Sequence, residues 1–302
     1  MMTSFPRLQS DNEPANTGQQ QHHGIKKGLY LIPSLFTAAN IAMGFYAVMS
    51  ALRGFQMLGN GAEMDLARET FDNAAKAIGW AMLFDMLDGR IARMTKTTTE
   101  IGVQLDSLAD VLTFGIAPAV LAYAWGYGSA LKEGTDAHQL GWFLSFMYLM
   151  CGAFRLARFN VQATRPRPLS EGTVKLDKHS FIGLPIPMSA ALLASIVHFT
   201  PTPLIQYGPH LAQIYSGLLM ALVACLSVLM VSTLRYSSFK QVGTGRGSTR
   251  LVILMVAAVG MLIWLYSRYV LLILVAVYVL LGLLFRLGGI FRRSSDKEKE
   301  KS

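Results

Sequence analysis

The sequence predicts an all-α membrane protein, a polytopic helical bundle of about eight transmembrane helices. Hydrophobic residues make up 52% of the 302 residues and the mean hydropathy is +0.39, which is too apolar for an ordinary soluble protein of this length. The chain also divides into apolar stretches close to the about 20 residues that cross a bilayer. Finally, its basic residues collect in alternate segments between those stretches, as they do in polytopic proteins.

The apolar stretches set the predicted domain organisation. A polar tail, residues 1–28, is rich in Gln, Asn and Ser and is expected to be disordered and cytoplasmic, with no cleavable signal peptide. A membrane domain is predicted over 29–240, two additional C-terminal helices over 241–290, and a charged cytoplasmic tail over 291–302. The predicted spans are 29–52, 72–93, 103–126, 139–161, 181–200, 211–234, 251–267 and 269–287. Only Ser267 and Arg268 separate the last two.

Charge predicts the orientation of the bundle. If the N-terminus is cytoplasmic, most of the 27 lysines and arginines fall in cytoplasmic segments, so the positive-inside rule places both termini in the cytoplasm and the protein in the inner membrane. The net charge of +9 is explained by this topology and by contact with anionic lipids, without a nucleic-acid partner. Cys151 and Cys225 both fall in predicted spans, which indicates neither a disulfide framework nor a metal site.

The first span carries a polar face. Thr37, Asn40 and Gly44 lie near one side of the predicted helix. An asparagine within a span must find a hydrogen-bond partner, so Asn40 is expected to point inward. The residues themselves favour helix–helix contact and ligand contact about equally.

The next two spans carry four aspartates. On a helix that advances about 100° per residue, Asp85, Asp88, Gly89 and Ala92 share one face, with Arg93 at its edge. Gly102, Asp106 and Asp110 share one face of the following helix. A short polar link makes these helices antiparallel neighbours, so the four carboxylates can converge. Their repulsion in a weakly solvated site predicts hard divalent cations, and four aspartates suit two ions, Mg²⁺ or Mn²⁺.

The spacing of these residues resembles that of the CDP-alcohol phosphotransferase family. The pattern D-x2-D-G-x2-A-R-x8-G-x3-D-x3-D is met at every fixed position from Asp85 to Asp110. The resemblance implies transfer of a substituted phosphoryl group from a CDP-linked lipid to an alcohol, with release of CMP. It implies metal ligation by Asp85, Asp88, Asp106 and Asp110, with Asp110 also the catalytic base. The residues expected to contact the CDP moiety are Asn40, Gly89, Ala92, Arg93 and Gly102. A homodimer is also typical of the family.

Three further stretches resemble the phosphatidylserine synthase branch of this family. They are the run from Asp106 to Ala119, Phe154-Arg155-Leu-Ala-Arg158-Phe-Asn160, and Gly183-Leu-Pro185-Ile-Pro187. The resemblance implies CDP-diacylglycerol and L-serine as substrates and phosphatidylserine as product. Arg155 and Arg158, three apart on a helix at the cytoplasmic face, are candidates to bind the serine carboxylate or a phosphate. They are equally typical of topological anchors.

Two alternatives stay open at the level of the sequence. A sister enzyme would use glycerol 3-phosphate or inositol phosphate, although a phosphorylated acceptor calls for a denser basic pocket. A membrane cation transporter would explain the carboxylates, but it leaves Gly89, Ala92, Arg93 and Gly102 at fixed spacing without a role.

Overall fold

The computed structural model describes residues 23–59, 64–95, 100–164, 180–232, 235–237 and 260–281. Nearly all of them are helical. The helices are α1 (His23–Gly59), α2 (Met64–Thr95), α3 (Glu100–Asp110), α4 (Ala117–Leu121), α5 (Gly128–Ala130), α6 (Asp136–Thr164), α7 (Ile186–Phe199), α8 (Pro209–Val231) and α9 (Gly260–Leu281). Two π-helical segments, Val111–Ile116 and Ala122–Tyr127, join α3, α4 and α5 end to end, and a 3₁₀ turn, Leu204–Tyr207, precedes α8.

Five helical segments among the described residues are long and apolar enough to cross a membrane. They are Leu35–Gly59, Ile101–Ala130, Asp136–Val161, Pro209–Val231 and Gly260–Leu281. The chain is therefore an integral membrane protein built as a polytopic helical bundle, as predicted. Helix α7 is apolar but shorter, and α2, which contains the predicted span 72–93, carries more charge than a simple span. The total of eight spans stays a prediction.

Among the described elements, α1 and α2 have the most extensive contact, and both helices bury small residues. Ala47 and Ala51 of α1 are fully buried, as are Ala74 and Ala81 of α2. Small side chains let two helix backbones approach closely, and this is how helices associate when lipid removes most of the hydrophobic driving force. The pairing fixes the C-terminal part of α2, which carries two of the aspartates, relative to α1.

The helix that follows Asp110 is irregular. The residues Val111–Ile116 form π-helical turns, and Gly126 breaks the second π segment with φ −97° and ψ −108°. Such bulges shift the register of the side chains that follow them and are frequent at functional sites. The irregularity lies where the sequence has Gly115 and Pro118 within a span.

A short two-stranded ribbon lies near the C-terminal end of α8, and the sequence did not predict it. Strand β1 (Ser180–Ile182) pairs antiparallel with β2 (Arg235–Ser237). Just after β1, Gly183 has φ +83°, and a Cβ there would lie 2.5 Å from the carbonyl oxygen of Met230. The next amide, of Leu184, donates to the carbonyl oxygen of Leu229. The glycine thus allows the chain to pack directly on the end of α8.

The predicted boundary between spans 251–267 and 269–287 is wrong. Helix α9 runs without a break from Gly260 to Leu281, through Ser267 and Arg268. The Ser267 hydroxyl lies 2.9 Å from Nε2 of His198, so this pair of residues belongs to a packed helix rather than to a turn. The first and last parts of the two predicted spans, 251–259 and 282–287, lie outside the described residues.

Candidate active site

Three aspartates meet where α2 approaches α3. Ligand atoms of Asp85, Asp106 and Asp110 all lie within 4.8 Å of one another, and each residue is half-buried. Asp85 lies on the C-terminal part of α2, and the other two are one turn apart on α3. Their convergence follows from helical periodicity and from the proximity of the two helices. Residues 96–99, which link these helices, lie outside the described residues.

The fourth aspartate, Asp88, lies beside this triad. Its side chain is 6% exposed and accepts a hydrogen bond from the Thr37 hydroxyl of α1. It is close enough to Asp106 for the two carboxylates to repel each other. The structure therefore groups the four predicted ligands as a triad and a neighbour whose carboxylate is oriented by another helix.

The chemistry of this donor set fits a hard divalent cation. Three carboxylates this close repel strongly where solvent is scarce. In addition, Oδ1 of Asp110 is buried without a hydrogen-bond partner among the described residues. A buried carboxylate oxygen of this kind is costly unless a cation or a donor satisfies it. All-oxygen ligation suits Mg²⁺ or Mn²⁺, so the aspartate cluster can bind metal.

Helix α1 places a second unsatisfied group near the aspartates. Asn40 is 1% exposed, and neither its Oδ1 nor its Nδ2 has a hydrogen-bond partner among the described residues. Its backbone carbonyl accepts a hydrogen bond from the Thr113 hydroxyl, in the π-helical segment that follows Asp110. Gly44 permits this approach, because a Cβ there would lie 2.4 Å from Oγ1 of Thr113. A buried amide with unused donors and acceptors favours ligand contact over helix–helix contact at Asn40.

The other residues expected to contact the CDP moiety are less well defined. Gly89 is half-buried on α2 and Gly102 is exposed on α3. Ala92 and Arg93 belong to the last turns of α2, and their side chains lie outside the part of the chain that the structure describes. The roles of these four residues stay predictions.

The structure separates the two arginines of α6. Arg155 is half-buried and lies within electrostatic range of Asp110, and its Nε has no hydrogen-bond partner among the described residues. Arg158, almost one turn further on, is exposed. Of the two predicted anion-binding residues, Arg155 is therefore the one that is half-buried and within electrostatic range of Asp110.

Two residues near the site were not predicted to act there. Helical periodicity places Thr37 on the same face as Asn40, but nothing in the sequence links Thr37 to Asp88, 51 positions later. Tyr278 of α9 lies within electrostatic range of Arg155, far from it in sequence. Both depend on tertiary packing, which local periodicity does not encode.

A cavity of about 410 Å³ lies elsewhere in the bundle, where α7 ends and α8 begins. Its lining is mainly aromatic and aliphatic, including Trp125, Phe199, Tyr207 and Tyr215, and it contains no carboxylate or basic side chain. At this end of α7, His198 contacts Asp72 of α2, and Asp72 lies about 20 Å along the helix from Asp85. The cavity is therefore not part of the aspartate site.

Comparison with known proteins gives a consistent result. Residues 30–229 match the family model described as CDP-alcohol phosphatidyltransferase. The chain is 34% identical to a Helicobacter pylori protein over 215 residues, which is 71% of this chain and 75% of that one. It is 34% identical to a Saccharomyces cerevisiae protein, over 60% of this chain and 58% of the yeast protein. It is 28% identical to a Bacillus subtilis protein, over 70% of this chain and 92% of the Bacillus protein. All three relatives are named CDP-diacylglycerol--serine O-phosphatidyltransferase.

Proposed function

The chain belongs to the CDP-alcohol phosphatidyltransferase family, and from that premise we propose that it transfers the phosphatidyl group of CDP-diacylglycerol to L-serine, giving phosphatidylserine and CMP. The names of the similar proteins support the choice of serine. The main structural support is the convergence of Asp85, Asp106 and Asp110, with Arg155 as a half-buried cation within electrostatic range of Asp110.

The aspartates have two tasks in this proposal. Asp85, Asp106 and Asp110, with Asp88 beside them, would hold two divalent cations. When bound, such cations neutralise the diphosphate as its bond to CMP breaks. Asp110 also takes the proton of the serine hydroxyl, since its Oδ1 has no protein donor among the described residues. The serine oxygen forms a bond to the lipid phosphorus, and the phosphorus–oxygen bond to CMP breaks.

In this proposal Arg155 determines the specificity for the acceptor by binding its carboxylate. The carboxylate and the hydroxyl of serine are only a few bonds apart, so a molecule that places its carboxylate on Arg155 brings its hydroxyl towards Asp110. A guanidinium binds a carboxylate through two parallel hydrogen bonds, which also fixes its orientation. Asn40 would contact the nucleotide with its unused amide.

The position of the site suits both substrates. The aspartates lie on the predicted cytoplasmic side, where serine arrives from the cytosol while CDP-diacylglycerol lies in the bilayer. We extend the proposal to residence in the inner membrane and to a homodimer, as the family resemblance implies.

Since the chain is an enzyme of this family, the cation-transporter alternative is not retained. A sister activity on glycerol 3-phosphate or inositol phosphate is the competing acceptor assignment.

The proposal is tested with purified protein in detergent, CDP-diacylglycerol, Mn²⁺ and isotopically labelled serine. We expect label in phosphatidylserine and equimolar CMP. Asp110→Asn should lower the rate by a factor of about 10² to 10⁴, as expected for loss of a general base. The matched control is Asp136→Asn, an exposed aspartate at the start of α6. Equal activity of the two variants would contradict the role of Asp110, and absence of labelled lipid with the unmodified protein would contradict serine as acceptor.

A further inference from the structure

The cavity of about 410 Å³ near the end of α7 has no role in the proposed transfer. Its volume lies within the range of about 300 to 1,000 Å³ that is usual for small-molecule sites. Residues from the last turn of α7, the 3₁₀ turn, α8 and the second π-helical segment line it. On α8 the lining runs from Tyr215 to Leu222, so the cavity extends about 10 Å along that helix. It is therefore long enough to hold part of an alkyl chain.

The lining of this cavity is uncharged. Aliphatic and aromatic side chains form most of it, and the hydroxyls of Thr200 and Tyr207 lie 3.1 Å apart and hydrogen-bond to each other. The rings of Tyr207 and Tyr215 pack edge to face, with their centroids 5.4 Å apart. Such a lining offers dispersion contacts and excludes water, but it provides no ion pair for a charged ligand. Its chemistry fits a hydrocarbon chain rather than a polar headgroup.

One buried polar group in the lining lacks a partner. Trp125 lines the cavity and is 2% exposed, and its indole Nε1 has no hydrogen-bond partner among the described residues. An indole N–H is a donor only, and a buried donor without an acceptor is destabilising. The neighbouring Gly126 allows this segment to pack directly on α8, because a Cβ there would clash with the side chain of Leu219. A ligand that brings an acceptor beside Trp125 would satisfy the indole.

Polar contacts around the cavity place it near a membrane interface. Gln206 belongs to the same 3₁₀ turn as two lining residues, and its Oε1 accepts a hydrogen bond of 2.7 Å from Arg68. Arg68 also pairs with Asp65, at 2.9 Å, near the beginning of α2 and about 25 Å along that helix from Asp85. Charged side chains and tyrosines collect where the hydrocarbon of a bilayer meets the headgroups. The ester carbonyls of glycerolipids lie at this same depth.

We propose that this cavity binds one ester-linked acyl chain of a membrane phospholipid, from the leaflet on the side away from the aspartates. The chain lies against the apolar lining, and its ester carbonyl accepts a hydrogen bond from Nε1 of Trp125. Since the lining is uncharged, the site recognises the ester-linked chain and not a particular headgroup. It is separate from the site at which CDP-diacylglycerol reacts.

The first test measures contact between Trp125 and lipid by fluorescence quenching. The chain has four tryptophans, and the other three, Trp80, Trp142 and Trp264, are exposed and can be replaced by Phe. The protein that keeps only Trp125 is placed in nanodiscs of phosphatidylcholine brominated near the ester end of its acyl chains. Bromine quenches tryptophan on contact. We expect loss of about half or more of the fluorescence, since a buried ring is reached only through an occupied cavity.

Variants that fill the cavity show whether the quenching lipid lies there. Leu222→Phe enlarges a lining side chain and should restore most of the Trp125 fluorescence. Leu211→Phe is the matched control, because Leu211 is exposed on the same helix and does not line the cavity. If Leu222→Phe does not fold, Thr200→Phe fills the cavity from the α7 side. Equal quenching in a folded filled variant and in Leu211→Phe would overturn the proposal, as would unquenched fluorescence in the parent protein.

A second control keeps Trp142 as the only tryptophan. Trp142 is 62% exposed on α6, so lipid reaches it without the cavity. We expect its fluorescence to be quenched equally with and without Leu222→Phe. A restored Trp142 signal in Leu222→Phe would mean that this substitution changes lipid contact with the whole protein, which would overturn the assignment to the cavity.

The second test concerns the ester carbonyl. Unbrominated phosphatidylcholine is added as a competitor, either ester-linked or ether-linked with chains of the same length. The ether-linked lipid has no carbonyl for Trp125. Its mole ratio to brominated lipid at half-maximal relief of quenching should therefore be about fivefold higher, as expected for the loss of one hydrogen bond. Equal ratios for the two competitors would contradict the hydrogen bond to the indole.

A final measurement separates this site from the donor site. CDP-diacylglycerol, at concentrations that saturate the release of CMP, should leave the quenching of Trp125 unchanged. Relief of quenching over the same concentration range would mean that the cavity holds an acyl chain of the donor lipid, and the proposal of a separate site would fail. The quenching itself does not depend on which acceptor the enzyme uses, so failure of serine as acceptor would leave this result intact.

Discussion

Asp88 owes its orientation to a hydroxyl from another helix. The Thr37 hydroxyl donates to its buried carboxylate, and partners of this kind fix the geometry of metal ligands. In Thr37→Val the hydroxyl is lost while the shape is kept. We expect the Mn²⁺ concentration for half-maximal activity to rise about tenfold. The control is Thr135→Val in an exposed turn. The same metal requirement in both variants would show that Asp88 does not need Thr37.

The two arginines of α6 should differ in their effect on the acceptor. Arg155 is half-buried and within electrostatic range of Asp110, whereas Arg158 is exposed. A lysine cannot reproduce a two-point contact with a carboxylate. In Arg155→Lys we therefore expect the serine KM to rise about tenfold, equivalent to about 1.4 kcal/mol. Arg158→Lys should have a much smaller effect. The serine KM of each variant is measured from initial rates at varied serine concentration. A larger rise in KM for Arg158→Lys than for Arg155→Lys would mean that Arg158 binds the serine carboxylate.

At the scale of elements, Gly44 decides how closely α1 approaches the helix that carries the aspartates. Alanine normally stabilises a helix relative to glycine by about 1 kcal/mol. At Gly44, however, the new methyl group would lie 2.4 Å from Oγ1 of Thr113 and 3.0 Å from its backbone Cα. Gly44→Ala should therefore lower both Tm and activity, because α1 must move away from the site. Gly79→Ala is the matched control on α2, since nothing lies within 4 Å of its Cβ position. Equal Tm values for the two variants would contradict this packing.

The elements also show which features could be predicted from the sequence. The spacing of the four aspartates predicts that they lie on two helix faces, because helical periodicity is a local property of the sequence. In the structure these two faces meet, and Asp85, Asp106 and Asp110 come together. The contact of Thr37 with Asp88 joins residues 51 apart, and no local pattern encodes it. Ser267 and Arg268 suggested a turn because polar residues usually end a span. In the structure the helix continues, since the serine hydroxyl has a buried partner in His198.

At the scale of the whole molecule, the aspartate triad lies towards one end of α2, and Asp72, which contacts His198, lies towards the other. Positive charges predict that the triad end is cytoplasmic. This topology can be tested with single cysteines in a protein that lacks Cys151 and Cys225. One cysteine replaces Glu133, in the exposed turn before α6, and the other replaces Ser4. The two should react differently with a membrane-impermeant maleimide. We expect Glu133→Cys to be labelled in intact cells and Ser4→Cys only after permeabilisation. The opposite pattern would invert the topology.

The most direct test of the central claim is a competition among acceptors. Purified protein in detergent with CDP-diacylglycerol and Mn²⁺ receives serine, glycerol 3-phosphate and inositol phosphate together at equal concentrations, and the lipid products are resolved by mass spectrometry. We predict phosphatidylserine as the dominant product, with CMP released in equal amount and both lost in Asp110→Asn. A dominant product from either phosphorylated acceptor would contradict the assignment of serine, and product formation undiminished in Asp110→Asn would contradict the aspartate mechanism.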